Sequence, residues 1–391
     1  MLANAISDPQ FIEDPFPFYE MARKMSQLQM PAGGGGPWMA FNYDEVDAVL
    51  RDYATWPSGF GAGGADGETT GGLSMLSVNP PKHTRLRGLV SQVFTPRMVD
   101  RMEPRFREIA AELLDPIMES GECDLVEALT YPLPVIVIAE ILGVDPAHRA
   151  DFRRWSNGIV SGAGGNPDAA GFGGGVFEEM RDYFERMCAE RRLNPRDDLI
   201  SGLVQAEIEG EKLNFDELFQ MLVLLLVAGN ETTTNLLGNA MLEFMDRPDQ
   251  LARLEADHSL IPSAVEEVLR FNSPVQGTMR RAARDVEFKG RAVKKGQGMV
   301  VFIGAANRDP AQFPDPLTFD ITRTPNKHLA FGMGIHFCLG APLARLEAKI
   351  ALEELFDRAT NFRRTTTGPL PRVPMFILRG VRELPLAFEA K

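Results

Sequence analysis

Ten residues, FGMGIHFCLG at 331–340, constrain this chain more than any other stretch. Gly332, Gly334 and Gly340 let the backbone turn tightly and approach another surface closely. The next residues, APLARLEAKIALEELF, carry Pro342 in their first turn and apolar side chains at Leu343, Leu346, Ile350 and Leu355. That pattern predicts a helix starting at about 340–342. Cys338 therefore precedes a helix N-terminus, where unpaired N–H groups and the dipole favour a thiolate. A buried, inert cysteine needs no such frame. Zinc would require a second ligand pair beyond His336 and Cys338, and no histidine–acid arrangement supports hydrolase chemistry. The residues read as a thiolate loop built against a flat or bulky partner, with the inert cysteine as the plain alternative.

The rest of the chain bounds the setting. With 44% hydrophobic and 24% charged residues over 391 positions, it has globular composition. Cys123, Cys188 and Cys338 are odd in number and far apart, which argues against a disulfide framework and fits a reducing cytoplasm. A formal charge of −13 disfavours nucleic acid. The start lacks a leader pattern, and the longest apolar run, MLVLLLVAG at 221–229, stops at Asn230 and Glu231. The expectation is a soluble cytoplasmic protein of one large domain, 1–391, with neither a nucleic-acid nor a membrane partner. Helical periodicity covers 97–119, 176–192, 214–246 and 341–357, and strand-like pieces cluster at 286–304 and 373–389. The fold class is mostly α with a small β portion. Glycine-rich loops at 59–72 and 158–175 and a proline-rich meander at 307–328 are the long connections, where function concentrates.

The segment 214–246 opens with a capping-box pair, Asn214 and Glu217, and continues as a long apolar stripe. Its middle, AGNETTT at 228–234, has low helix propensity, and threonine hydroxyls can bond back to carbonyls one turn earlier. A local opening beside a water-accessible cavity reconciles Glu231 with burial, and a solvent-facing polar side is the alternative. Glu267 and Arg270 lie three apart on one helical face. Basic candidates come from separate places: His83 and Arg87 four apart, Arg280 before a strand, and His336 beside the cysteine. Arg97, Arg101 and Arg105 recur every four residues and predict a basic face on one helix.

The loop FGMGIHFCLG resembles the haem-binding loop of the cytochrome P450 family, with matches at Phe331, Gly334, His336, Cys338 and Gly340. The stretch AGNETT resembles the family's distal-helix motif, EEVLR contains its Glu-x-x-Arg signature, and FDITR aligns with the segment that supplies a third member, Arg323. This version lacks the proline and glutamate of the fuller motif around Arg323. The resemblance spans nearly the whole chain. It implies a single P450-like domain in which haem b lies between a long distal helix and the cysteine loop.

By that resemblance Cys338 is the metal ligand, and His83, Arg87, Arg280 and His336 meet the propionates. Phe331 lies at the cofactor and Gly229 leaves room for oxygen. Glu231 relays protons, Thr232 holds dioxygen and its water, and Glu267, Arg270 and Arg323 form a structural ion-pair triad. Phe60, Leu225, Val275 and Phe376 would touch substrate. The implied activity is monooxygenation of a small-to-medium apolar organic substrate with O2, by a monomer without a fused reductase. Electrons would come from a separate ferredoxin and ferredoxin reductase, and the arginine row could dock the ferredoxin. A peroxide-driven peroxygenase and a non-catalytic haem sensor or carrier are the alternatives.

Overall fold

The computed structural model describes residues 8–25, 36–59, 74–163, 175–208 and 210–391. Helices dominate the described residues. Those used below are α1 (Phe16–Lys24), α2 (Lys82–Val93), α3 (Pro96–Arg101), α4 (Glu103–Met118), α5 (Pro132–Leu142), α6 (Arg149–Ala163), α7 (Phe215–Met245), α8 (Ile261–Phe271) and α9 (Ala341–Arg358). The helix α7 is the axis of the molecule. Asn214 and Glu217 close a full capping box at its start, and its C-terminal half from Thr233 to Phe244 is buried throughout. Leu218, Leu222, Leu226, Leu236 and Leu237 join the main core, each worth about 1.5–3 kcal/mol on burial. Helices α5, α6, α8 and α9 pack around α7.

Three small sheets flank this bundle. Strand β1 (Trp38–Ala40) runs parallel to β3 (Gly298–Val301), with Met39 opposite Val300, while β2 (Thr278–Arg281) pairs antiparallel with β3, with Arg280 opposite Met299. A second sheet joins residues 122–124, 359–364 and 385–390, and a hairpin pairs 286–288 with 291–293. Two lesser cores lie on opposite faces of the first sheet, one around Trp56 and Met299 and one around Tyr19, Phe41 and Phe302. Phe41 stacks on Phe302 at 4.6 Å.

The structure corrects one helix. The segment 97–119 is two helices: α3, capped by the Thr95 hydroxyl, ends at Arg101, and α4 starts at Glu103. Pro104 has no N–H to donate backwards, so it begins a new helix rather than continuing the old one. The arginines therefore share no single helix face. Arg105 is also consumed by carboxylates, with Glu140 at 2.7 Å, Glu108 at 2.8 Å and Glu112 at 3.0 Å. No helix among the described residues is long and apolar enough to cross a membrane.

Candidate active site

The cysteine loop folds by glycine geometry. Gly332 and Gly334 have φ of 68° and 71°, and a Cβ on Gly334 would lie 2.7 Å from the Leu50 carbonyl oxygen. Only glycine fits there. The Cys338 N–H donates to the Phe331 carbonyl at 2.9 Å, closing the loop on itself. Gly340 then caps α9, with Pro342 in the first turn. The backbone N–H groups of Gly340 and Ala341 and the cations Arg87 and Arg345 all favour a Cys338 thiolate, as the helix start predicts. Burial nevertheless outweighs them and pushes the thiol up. The protein's own groups thus hold a thiol that metal coordination would deprotonate.

The helix α7 stays helical through all 31 residues, so the expected opening is not a break in the ladder. The Thr232 hydroxyl donates to the Ala228 carbonyl at 2.7 Å. Ala228 is exposed in mid-helix, and a Cβ on Gly229 would meet nothing within 4 Å among the described residues. Space therefore opens beside α7 at the Gly229–Thr232 turn. Burial raises the Glu231 carboxyl above its ordinary value, opposed by Arg382. Asn230 points the other way: its amide donates to the Ser156 hydroxyl of α6 at 2.8 Å.

Four basic side chains from three segments meet at one place. His83 and Arg87 come from α2, Arg280 from β2 and His336 from the cysteine loop. The His83 and His336 rings are 4.4 Å apart. Burial, then His83, Arg280 and Arg87, hold His336 down at about 3. The Nε2 atoms of both histidines are buried without a hydrogen-bond partner among the described residues. Arg87 bonds the Ile335 carbonyl at 3.1 Å, Arg280 bonds the Met279 carbonyl at 2.8 Å, and neither has a carboxylate partner among the described residues. On β2 the pleat turns Arg280 inward and leaves Arg281 exposed. Orphaned ring nitrogens beside two arginines fit an anionic group with more than one carboxylate, which is what haem b carries.

The ion-pair triad is buried. Arg270 reaches Glu267 through two bonds of 2.7 and 2.8 Å, both side chains fully buried, and Arg323 adds a third at 3.2 Å. The Asp320 N–H and the Asn326 amide also donate to Glu267, at 2.9 and 3.1 Å. Arg270 spends its remaining donors on the carbonyls of Asn307, Pro316 and Thr318. The 307–328 meander is therefore an ordered segment pinned to α8.

Leu225 is half-buried on α7, Val275 bridges to Leu378, and Phe376 packs against the core around Tyr19 and Phe302. Phe60 and most of the 59–72 and 158–175 loops lie outside the described residues. A surface cleft of about 520 Å³ between α1 and the meander contains none of these side chains. Two features escaped the sequence reading. Glu347 is buried on the inner face of α9 against Thr233, and Glu266 pairs with Arg345 beside the cysteine loop. A carboxylate on the Leu343–Ile350 stripe was the available signal for Glu347. Nothing local marked Glu266.

Comparison with known proteins agrees with this geometry. The Cytochrome P450 family model matches residues 173–363. Cytochrome P450 107B1 of Saccharopolyspora erythraea is 40% identical over 394 residues, covering 97% of this chain and 96% of that protein. Cytochrome P450 monooxygenase PikC of Streptomyces venezuelae is 39% identical over 392 residues, covering 96% and 91%. The structure of CYP109E1 from Bacillus megaterium with testosterone superposes with a TM-score of 0.87 at 39% identity, covering 96% of this chain and 99% of that one. The chain belongs to the cytochrome P450 family and is a haem b-dependent monooxygenase.

Proposed function

We propose that Cys338 ligates the haem iron and that Glu231 and Thr232 manage protons on the opposite face, in hydroxylation of a medium-sized apolar substrate. The observation that carries this is the convergence of His83, Arg87, Arg280 and His336 beside the cysteine loop. When bound, the haem supplies the redox iron at which O2 is reduced, and thiolate ligation favours O–O cleavage.

The residues divide the remaining work. Gly229 keeps the helix surface open. The Thr232 hydroxyl, its proton committed to Ala228, presents lone pairs to that space and accepts a hydrogen bond there. Glu231, raised by burial, keeps a proton to higher pH than an exposed carboxylate and can give and recover it. The triad locks the meander behind the cysteine loop. Leu225, Val275 and Phe376 contribute apolar surface for substrate, consistent with a steroid in a 39%-identical neighbour. By resemblance to soluble bacterial members, we assign electron supply to a separate ferredoxin and ferredoxin reductase, and read the protein as a cytoplasmic monomer of one domain.

Two measurements test the reading. The dithionite-reduced protein under carbon monoxide should show the strongly red-shifted Soret band of a thiolate-ligated haem, and Cys338→His should lose it. Thr232→Ala should divert electrons to hydrogen peroxide and lower product formed per reductant consumed. Unchanged coupling in that variant would remove Thr232 from the proposed role.

A further inference from the structure

Glu266 and Glu267 are neighbours on α8 with opposite destinations. Glu267 enters the buried triad, whereas Glu266 reaches across to α9 and forms a bidentate pair with Arg345, Nε to Oε1 at 2.7 Å and Nη2 to Oε2 at 2.8 Å. His328 completes the group. Its Nδ1 accepts the Ala330 N–H at 3.2 Å, which leaves the ring proton on Nε2, 3.2 Å from Glu266 Oε2. Burial works to raise Glu266, but Arg345 and His328 prevail and hold its carboxyl at about 2. Glu266 is therefore an anion at any working pH, and Arg345 its partner cation.

This pair sits against the cysteine loop. The Arg345 guanidinium lies 4.5 Å from the centre of the Phe331 ring, and the Phe331 carbonyl accepts the Cys338 N–H at 2.9 Å. Arg345 interacts electrostatically with Cys338, as Arg87 does. Arg87 has no carboxylate partner among the described residues, whereas Arg345 is matched by a carboxylate on its far side. The arrangement does more than tie α8 to α9. It sets a cation of adjustable effective charge near the sulfur, in a half-buried position where charges interact more strongly than in bulk water.

Resting on the assignment of Cys338 as the haem ligand, we infer that Glu266 and Arg345 are positioning residues that set the reduction potential of the site with opposite signs. Reduction adds one electron and makes or breaks no bond. Arg345 stabilises the added negative charge, and Glu266 restrains it. Loss of Arg345 makes the haem harder to reduce. Loss of Glu266 leaves the cation uncompensated and makes it easier to reduce. A purely structural link between the helices has no such sign, because breaking it from either side removes the same contact.

The test is a redox titration with dithionite and mediator dyes on the haem-loaded protein, alongside the carbon monoxide band of each variant. Arg345→Gln should lower the midpoint potential, and Glu266→Gln should raise it. The double variant, which removes no net charge, and Arg345→Lys should lie near wild type. The shifts should shrink at high salt, since the Arg345 side chain is 39% exposed. Two single variants that move the potential in the same direction, or not at all, while keeping the red-shifted band would overturn the inference. If Glu266→Gln takes up no haem, equal potentials in Arg345→Gln and Arg345→Lys overturn it alone. Absence of the red-shifted band in wild type would instead refute the ligand assignment.

Discussion

Replacing Glu347 with Gln should stabilise this protein at neutral pH and flatten the dependence of its stability on pH. Glu347 lies on the face of α9 that meets α7, 2% exposed, and burial pushes its carboxyl up to about 8 against the opposing Thr233 hydroxyl. The unfolded chain ionises near 4.5. Between those values the native state holds a proton that the unfolded state has released, so stability falls as pH rises. It is fully present below about 4.5 and lost progressively up to about 8. The slope is about 1.4 kcal/mol per pH unit, which accumulates to about 3 kcal/mol at pH 7 and about 4 kcal/mol at pH 8. Glutamine keeps the shape and can still accept from Thr233 but never ionises. With unfolding entropy of about 2 cal/mol/K per residue, 3 kcal/mol corresponds to about 4 °C in Tm at pH 7. The assay is calorimetry of both haem-loaded proteins from pH 5 to pH 8.5 at one scan rate. The Tm difference should grow with pH and be small near pH 5. Parallel curves, or a variant less stable throughout, would refute the reasoning.

Two further outcomes follow from other parts of the site. Glu267→Ala should cost about 3–5 kcal/mol by stranding Arg270 without its counter-charge, and should lower the haem-to-protein ratio on purification; an unfolding midpoint in urea within error of wild type would show that the carbonyls of Asn307, Pro316 and Thr318 alone satisfy Arg270. The raised carboxyl of Glu231 means that the proton-carrying form persists to higher pH than usual and is then lost. The rate of coupled turnover should therefore fall on the alkaline side, and Glu231→Gln should be slow without that decline. An unchanged alkaline limb in the variant would assign the titration to another group.

Much of the site was legible because its signals are local. A glycine that must adopt a left-handed turn, as at Gly332 and Gly334, and a proline opening a helix after Cys338 are backbone constraints written within ten residues. The capping box at Asn214 and Glu217 marked the start of α7 for the same reason. The break at Met102 was equally local, but the four-residue spacing of Arg97, Arg101 and Arg105 suggested one helix although Pro104 began another. The opening at Gly229 was legible as weak helix propensity. Its form was not, because the Thr232 hydroxyl bonds back to the Ala228 carbonyl while the ladder stays intact.

The sequence by itself determined which segments turn, start and stop, and which residue could be a thiolate ligand, because those depend on dihedral preference and hydrogen-bond donors a few residues away. Tertiary structure alone decided which charges meet. His83, Arg87, Arg280 and His336 are brought together by α2, β2 and the cysteine loop, and β2 is held in place through pairing of β1 with β3 across some 260 residues. The balance at Cys338 was also decided there: helix-start donors favour the anion, yet burial, which no local pattern encodes, tips the free thiol the other way. Proton affinities at Glu347, Glu231 and Glu266 diverge for the same reason. Three carboxylates of one intrinsic chemistry are separated by how much water the fold removes and which cation it brings near.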